Sequence, residues 1–418
     1  MKTKLLTTLI IAGVGIATHA QSVWTPTSNV MNGGGRLEDL FFIHPDTGWT
    51  VGGFGTVSRT QNGGESWDLQ YQSNYYIRSV DFFDSQLGFA GTLDEVFLRT
   101  SDGGETWEDI TGELPMTPTG VCGMQHLGDS TLLAVGAWFG PAFILRTEDR
   151  GISWDSLNLS DYAEGLIDVH FFSRDTGLVC GRGSNGGIIL YTTDGGESWE
   201  EVFNTFSAGD YVWKLQFIDE QHAVGSVQTF GAMGWLLKSD DGGLSWVKKP
   251  VPIGDAQGVG FVTPLKGWMG GYGNGFFATE DGGNTWELVP FGGNYNRFQF
   301  FNANFGFASG AGVYKYQDST LVGLSAEISS RLFDPALTVS PNPASDEAVI
   351  DFSLPDKNNV DLNLYDQQGR LIARIFNGRL PAGQHKMNIK IGDLSQAFLL
   401  VGLQVNEGIF STPLLKQR

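Results

Sequence analysis

One eight-residue pattern recurs six times in this chain and constrains its fold more than any other feature. Its first two copies are Thr60-Gln61-Asn62-Gly63-Gly64-Glu65-Ser66-Trp67 and Thr100-Ser101-Asp102-Gly103-Gly104-Glu105-Thr106-Trp107. The remaining four end at Trp154, Trp199, Trp246 and Trp286, with Asp149, Asp194, Asp241 and Asp281 at the acidic position. Each reads Ser/Thr-x-Asp-x-Gly-x-Ser/Thr-Trp, and Asn62 alone replaces the aspartate. An acceptor side chain of this kind closes a turn by bonding nearby backbone N–H groups. The glycine doublet supplies positive φ without steric cost. The tryptophan buries a large apolar body at a fixed distance from that turn. Six equal copies mark a structural staple, because a catalytic carboxylate is needed only once.

Successive tryptophans of the pattern lie 40 to 47 residues apart. Between them the same order of short strands returns, as in Asp81-Phe82-Phe83, Leu87-Gly88-Phe89-Ala90-Gly91 and Val96-Phe97-Leu98-Arg99. A period in the forties made of short strands predicts the blades of a β-propeller. A seventh unit opens at Phe298-Gln299-Phe300-Phe301 and ends at Val313-Tyr314-Lys315-Tyr316 without a box. The segment Ser22-Val23-Trp24-Thr25-Pro26 resembles the strand that should follow that box. The sequence therefore predicts an all-β chain, with a seven-bladed propeller over 21–317 whose last blade is completed by the N-terminal strand. Such closure removes exposed sheet edges.

The repeated motif resembles the Asp-box, or BNR repeat, of sialidases, sortilin ectodomains, some xyloglucan-degrading enzymes and photosystem II assembly-factor propellers. The Gly-Gly doublet and the repeat length are most similar to the last group. The resemblance implies that each box sits on an outer hairpin, away from the ligand face.

The chain opens on Met1-Lys2-Thr3-Lys4, an apolar run from Leu5 to Ile16, and Thr18-His19-Ala20. This is the pattern of a secretory signal peptide over 1–20. No stretch of the mature chain is long and apolar enough to be a membrane span. Export permits a disulfide between Cys122 and Cys180; two buried thiols are the other reading.

After a linker over 318–336, a second pattern of short alternating strands predicts a small antiparallel sandwich over 337–418. Its ordered motifs are Ser340-Pro341-Asn342-Pro343, Leu364-Tyr365-Asp366, Gly369-Arg370, Ala382-Gly383-Gln384-His385 and the basic end Leu414-Leu415-Lys416-Gln417-Arg418. They resemble the type A C-terminal sorting domain of the Bacteroidetes type IX secretion system. Gln396-Ala397-Phe398 departs from that family, which usually has glycine before the aromatic residue. The resemblance implies recognition by the type IX machinery and passage through the periplasm to the outer surface or medium.

The formal charge of −20 disfavours a nucleic-acid partner, which would need basic patches to neutralise phosphates. The six histidines show no metal-ligand spacing, and no phosphate-cradling loop or nucleophile elbow is present. No metal or cofactor is therefore expected. Sialidase chemistry is not expected either, because the Phe/Tyr-Arg-Ile-Pro signature is missing. Glycoside hydrolysis by paired carboxylates is the alternative, with Asp81 and Asp168 at inner-strand positions as its acids. The favoured reading is a non-catalytic propeller that binds an extracellular protein or glycan. Loops joining one blade to the next open on one face, and three of them collect aromatic and basic residues. These are Tyr75, Tyr76 and Arg78; Tyr211, Trp213 and Lys214; and Tyr295 and Arg297. Tyr, Trp and Arg are the types enriched in interface anchors.

Overall fold

The computed structural model describes residues 23–30, 35–136, 140–273, 275–318, 337–342, 344–354, 357–365, 371–392, 394, 398–405 and 408–416. The expected signal peptide over 1–20 and all of the expected linker except Asp318 lie outside the described residues. The chain divides into two compact units, Met1–Leu324 and Ser325–Arg418.

The six boxes form six copies of one turn. In the second, the Thr100 hydroxyl donates to Asp102 Oδ1 at 2.8 Å and accepts from the Gly104 N–H at 2.8 Å. Asp102 also accepts from the Thr106 N–H at 2.9 Å and the Thr106 hydroxyl at 2.6 Å. Gly103 and Gly104 sit at φ 77° and 94°, where a Cβ would be strained. Trp107 Nε1 returns to the Gly104 carbonyl at 3.1 Å. These bonds to the ionised form hold the Asp102 carboxyl at about 2, with the Thr106 hydroxyl the largest cause. Asn62 accepts the same two bonds from Thr60 and Ser66, but its Nδ2 donates to the Ser66 hydroxyl and reverses the last bond. The third box places Arg150 at φ 64° where the others have glycine. Its guanidinium lies over the Phe83 ring and reaches Asp84.

Unit one contains, among the described residues, seven four-stranded antiparallel sheets. Their first strands are Leu37–His44, Ile77–Phe82, Val121–Leu127, Gly165–Phe171, Tyr211–Phe217, Ala256–Phe261 and Arg297–Asn302. Each first strand packs against that of the next sheet, and the seventh packs against the first. This is the architecture of a β-propeller. Glutamine side chains pin neighbouring sheets together. Gln125 brackets the backbone of Phe171, Gln216 that of Phe261, and Gln299 that of Phe42 across the seam. The seventh sheet takes its outer strand from Trp24–Pro26, with Trp24 opposite Tyr316 and Pro26 opposite Tyr314. Trp24 is fully buried against Trp268, Phe276 and Phe298. The expected joining of the chain's start to its last repeat is thus present.

Each box lies between the third and fourth strands of its sheet, against the turn joining the first two: Gly63 donates to Asp46 O and Gly103 to Gln86 O. The boxes therefore occupy the end of the sheets opposite the loops that lead from one sheet to the next. Cys122 and Cys180 are free thiols, both buried, and burial pushes both upward in pKa.

Unit two contains a three-stranded sheet, ordered Thr338–Ser340, Glu347–Leu354, Gly383–Lys390. A four-stranded sheet has the order Leu371–Leu380, Asn358–Tyr365, Phe398–Val405, Gly408–Leu415. Ile350 and Phe352 of one sheet and Leu362, Leu364, Val401 and Leu403 of the other share one apolar core.

Candidate functional site: the mouth of the ring

Near the start of the first strand, six of the seven sheets skip one residue in the ladder. The skipped residues are Glu38, Arg78, Cys122, Ile167, Trp213 and Gln257; in the seventh sheet Asn296 occupies the same place, just before Arg297. A bulge leaves its extra residue unpaired and turns two successive side chains toward one side. Both the bulged residue and its successor here face the ring axis, and together they fill it.

The bulged residues bond across the ring. Glu38 accepts from Arg36 at 2.7 Å, Arg78 at 3.0 Å, Asn296 Nδ2 at 3.0 Å and the Tyr76 hydroxyl at 2.5 Å. Arg36 also donates to Gln257 of the sixth sheet. The Arg78 guanidinium lies 5.3 Å over the Trp213 ring, and Trp213 Nε1 donates to Asn296 Oδ1 at 3.1 Å. Cys122, Ile167 and Trp213 pack as an apolar cluster. Burial opposes ionisation of Glu38, but Arg78 and Arg36 outweigh it and hold the carboxyl below its ordinary range. Burial, together with the same Glu38 charge, pushes the Tyr76 phenol up to about 12.

The succeeding residues form a second charged layer. Arg297 bridges Asp39 at 2.8 Å and Asp168 at 3.0 Å. Asp168 also accepts from the Leu215 N–H, and Lys214 Nζ stands 3.7 Å from it. Burial opposes the charge on Asp168, yet Arg297 and Lys214 keep its carboxyl below the ordinary range. Lys214 is driven down to about 8 by burial and by the neighbouring Arg297. Its Nζ is buried without a hydrogen-bond partner among the described residues, as is Arg78 Nη2.

The expected binding residues divide in a way that the bulge explains. Arg78, Trp213 and Lys214 are buried along the axis, and Arg297 is mostly covered there. Tyr295 is wholly buried, stacked at 4.0 Å on Phe276. It precedes Asn296 by one position and so takes the core-facing place that Ile77 and Val212 hold in their sheets. Tyr75 and Tyr211 are half-buried, and Tyr76 is exposed on the rim. Arg182 covers the Tyr211 ring at 5.2 Å and donates to its hydroxyl. Sequence reasoning missed Arg36, Glu38 and Tyr272. Tyr272 is 60% exposed with Arg36 stacked 5.2 Å from its ring. Its signal was an aromatic residue set among glycines, Gly270-Gly271-Tyr272-Gly273.

The two acids of the alternative catalytic reading, Asp81 and Asp168, sit in separate sets of bonds. Asp168 is ion-paired along the axis to Arg297, with Lys214 beside it. Asp81, deeper in the ring, accepts from the backbone N–H of His126 at 3.1 Å and contacts its Nδ1 at 2.7 Å. No group of three or more potential metal ligands occurs among the described residues, and no helix among them could cross a membrane.

Comparison with known proteins agrees with this architecture. A family profile described as photosynthesis system II assembly factor YCF48 matches residues 17–157, and the BNR/Asp-box repeat matches 190–201. The secretion system C-terminal sorting domain matches 338–412. The photosystem II assembly lipoprotein Ycf48 of Synechococcus sp. (strain CC9902) is 25% identical over 292 residues, covering 63% of this chain and 79% of the relative. The photosystem II stability/assembly factor HCF136 of Cyanidioschyzon merolae is also 25% identical, covering 64% of this chain and 68% of the relative. A solved structure of YCF48 bound to D1 peptide superposes with TM-score 0.55 at 21% identity, over 72% of this chain and 98% of that one. YCF48 from Cyanidioschyzon merolae gives TM-score 0.55 at 20% identity, over 70% and 98%. The first unit is thus similar to Ycf48 and Asp-box propellers, and residues 338–412 are similar to the secretion system C-terminal sorting domain.

Proposed function

We propose that the mature protein is a secreted or surface-held, non-catalytic propeller of seven blades that binds an extended segment of a protein partner at its loop-bearing face. In this reading 1–20 is a signal peptide and 318–336 a linker. The sandwich over 337–418 engages the type IX machinery for export. The observation that carries the proposal is the filled axis. Charged, polar and apolar side chains of the bulged positions bond and pack across it, and they back a rim on which Tyr76 and Tyr272 stand exposed. Rigid aromatic anchors over a braced polar floor suit peptide recognition. That a structural relative was solved with a bound peptide supports the same ligand class. The photosystem role is not transferred, because the sorting domain directs this chain outward.

The test is selection of a displayed peptide library on the purified full chain, with a glycan array alongside. Selected peptides should lose at least tenfold in affinity on Tyr76→Ala combined with Tyr272→Ala. Undiminished peptide binding by that variant, or enrichment on the glycan array alone, would refute this reading.

A further inference from the structure

The outward face of the four-stranded sheet in the C-terminal unit carries polar side chains that its fold does not require. Along Asn358–Tyr365, Val360, Leu362 and Leu364 enter the core. Alternation places Asn359, Asp361, Asn363 and Tyr365 on the other face. Asp361 stands opposite Asn377 on one neighbouring strand and Gln404 on the other. Around it lies an open groove of about 420 Å³, lined by Asn359, Asp361, Asn377 and Gln404 with Val360 and Gly378. Asn363, next in the row, is buried, and its Oδ1 has no hydrogen-bond partner among the described residues. Tyr365 lays its ring across Gly402, 2.7 Å from where a Cβ would stand. Only a glycine there leaves that space to the ring.

Three amides and a carboxylate in one groove offer closely spaced donors and acceptors. The Asp361 charge is matched by Arg374 at 3.3 Å, so the groove has no uncompensated cation to select phosphate or carboxylate. Asn358–Tyr365 is paired on both sides, so a peptide cannot add to it as a strand. Adjacent hydroxyls that both donate and accept fit the amide row, and the flat face of a sugar ring fits a tyrosine beside it. We infer that this groove binds a neutral saccharide chain, with Asn377, Asp361 and Gln404 reading its hydroxyls.

The experiment uses the full chain with maltohexaose, cellohexaose and mannohexaose, followed by saturation-transfer NMR and calorimetry. At least one hexasaccharide should bind, and Asn377→Ala with Gln404→Ala should weaken it at least tenfold. Tyr76→Ala with Tyr272→Ala should leave that affinity unchanged, which separates this site from the propeller face. Gln404→Glu, nearly isosteric and on an exposed position, checks that any loss is local. No binding by any of the three, undiminished binding by the double alanine variant, or loss on the propeller-face variant would overturn the inference.

Discussion

Lys214→Met should make this protein more stable, because the axis contains an ammonium that it does not fully satisfy. Lys214 is 2% exposed; the carboxylate of Asp168 is 3.7 Å away, and Nζ has no hydrogen-bond partner among the described residues. Burial, then Arg297, lowers its pKa from the ordinary 10.5 to about 8. A group depressed by that amount opposes folding by roughly 3 kcal/mol while both states are protonated. Below pH 8 that opposition is complete. Between pH 8 and 10.5 the unfolded chain holds a proton that the native chain has released, so native stability rises with pH. Methionine has a similar length and no charge, and Arg297 still pairs Asp168 in its place. The variant should therefore melt higher than wild type at pH 7 by about 5 °C, taking ~2 °C per kcal/mol for a domain of this size. The gain should shrink as the pH is raised toward 10. Scanning calorimetry at the two pH values decides the matter. A lower melting temperature at pH 7 would refute the reasoning, as would an increment that does not change with pH.

Three further outcomes are expected. Asp168→Asn leaves Arg297 and Lys214 facing each other without their shared anion and should cost about 3–5 kcal/mol in urea unfolding. Adding Lys214→Met should recover part of that loss non-additively. Trp24→Ala empties the seam between the chain's start and its last repeat; it should cost about 3–5 kcal/mol and expose the seventh sheet to limited proteolysis. In the boxes, Ser and Thr hydroxyls hold Asp102, Asp149, Asp194 and Asp281 at about 2. Their contribution is complete above the unfolded pKa and lost as pH falls through 2, so tryptophan fluorescence should hold to about pH 3. An acid transition centred near pH 4.5 would count against box carboxylates as the last acid-sensitive staples.

How much of this was legible beforehand differs between frame and site. Asp102, its hydroxyl partners and its glycines lie within eight residues of one another, so the turn they make follows from local chemistry. The seam was legible because Trp24 repeats the residue type that ends every box. The face was harder. Tyr295 and Tyr76 stand in similar loops, yet one is core and the other rim, since a single-residue offset on a strand reverses a side chain. That offset arises at the bulges, and nothing local to Arg78 or Trp213 announces one. Glu38 and Asn296 are 258 residues apart, and only ring closure makes them neighbours.

The amino-acid order alone determined the repeating turn, the sheet count it implies and the division into a repeat region and a tail, because each rests on contacts between residues close along the chain. Which side chains face the axis, which carboxylates are held ionised and which aromatics stand exposed were decided only by the closed ring. There a bulge in six of the seven sheets sets the direction, and charges distant in sequence set each other's state.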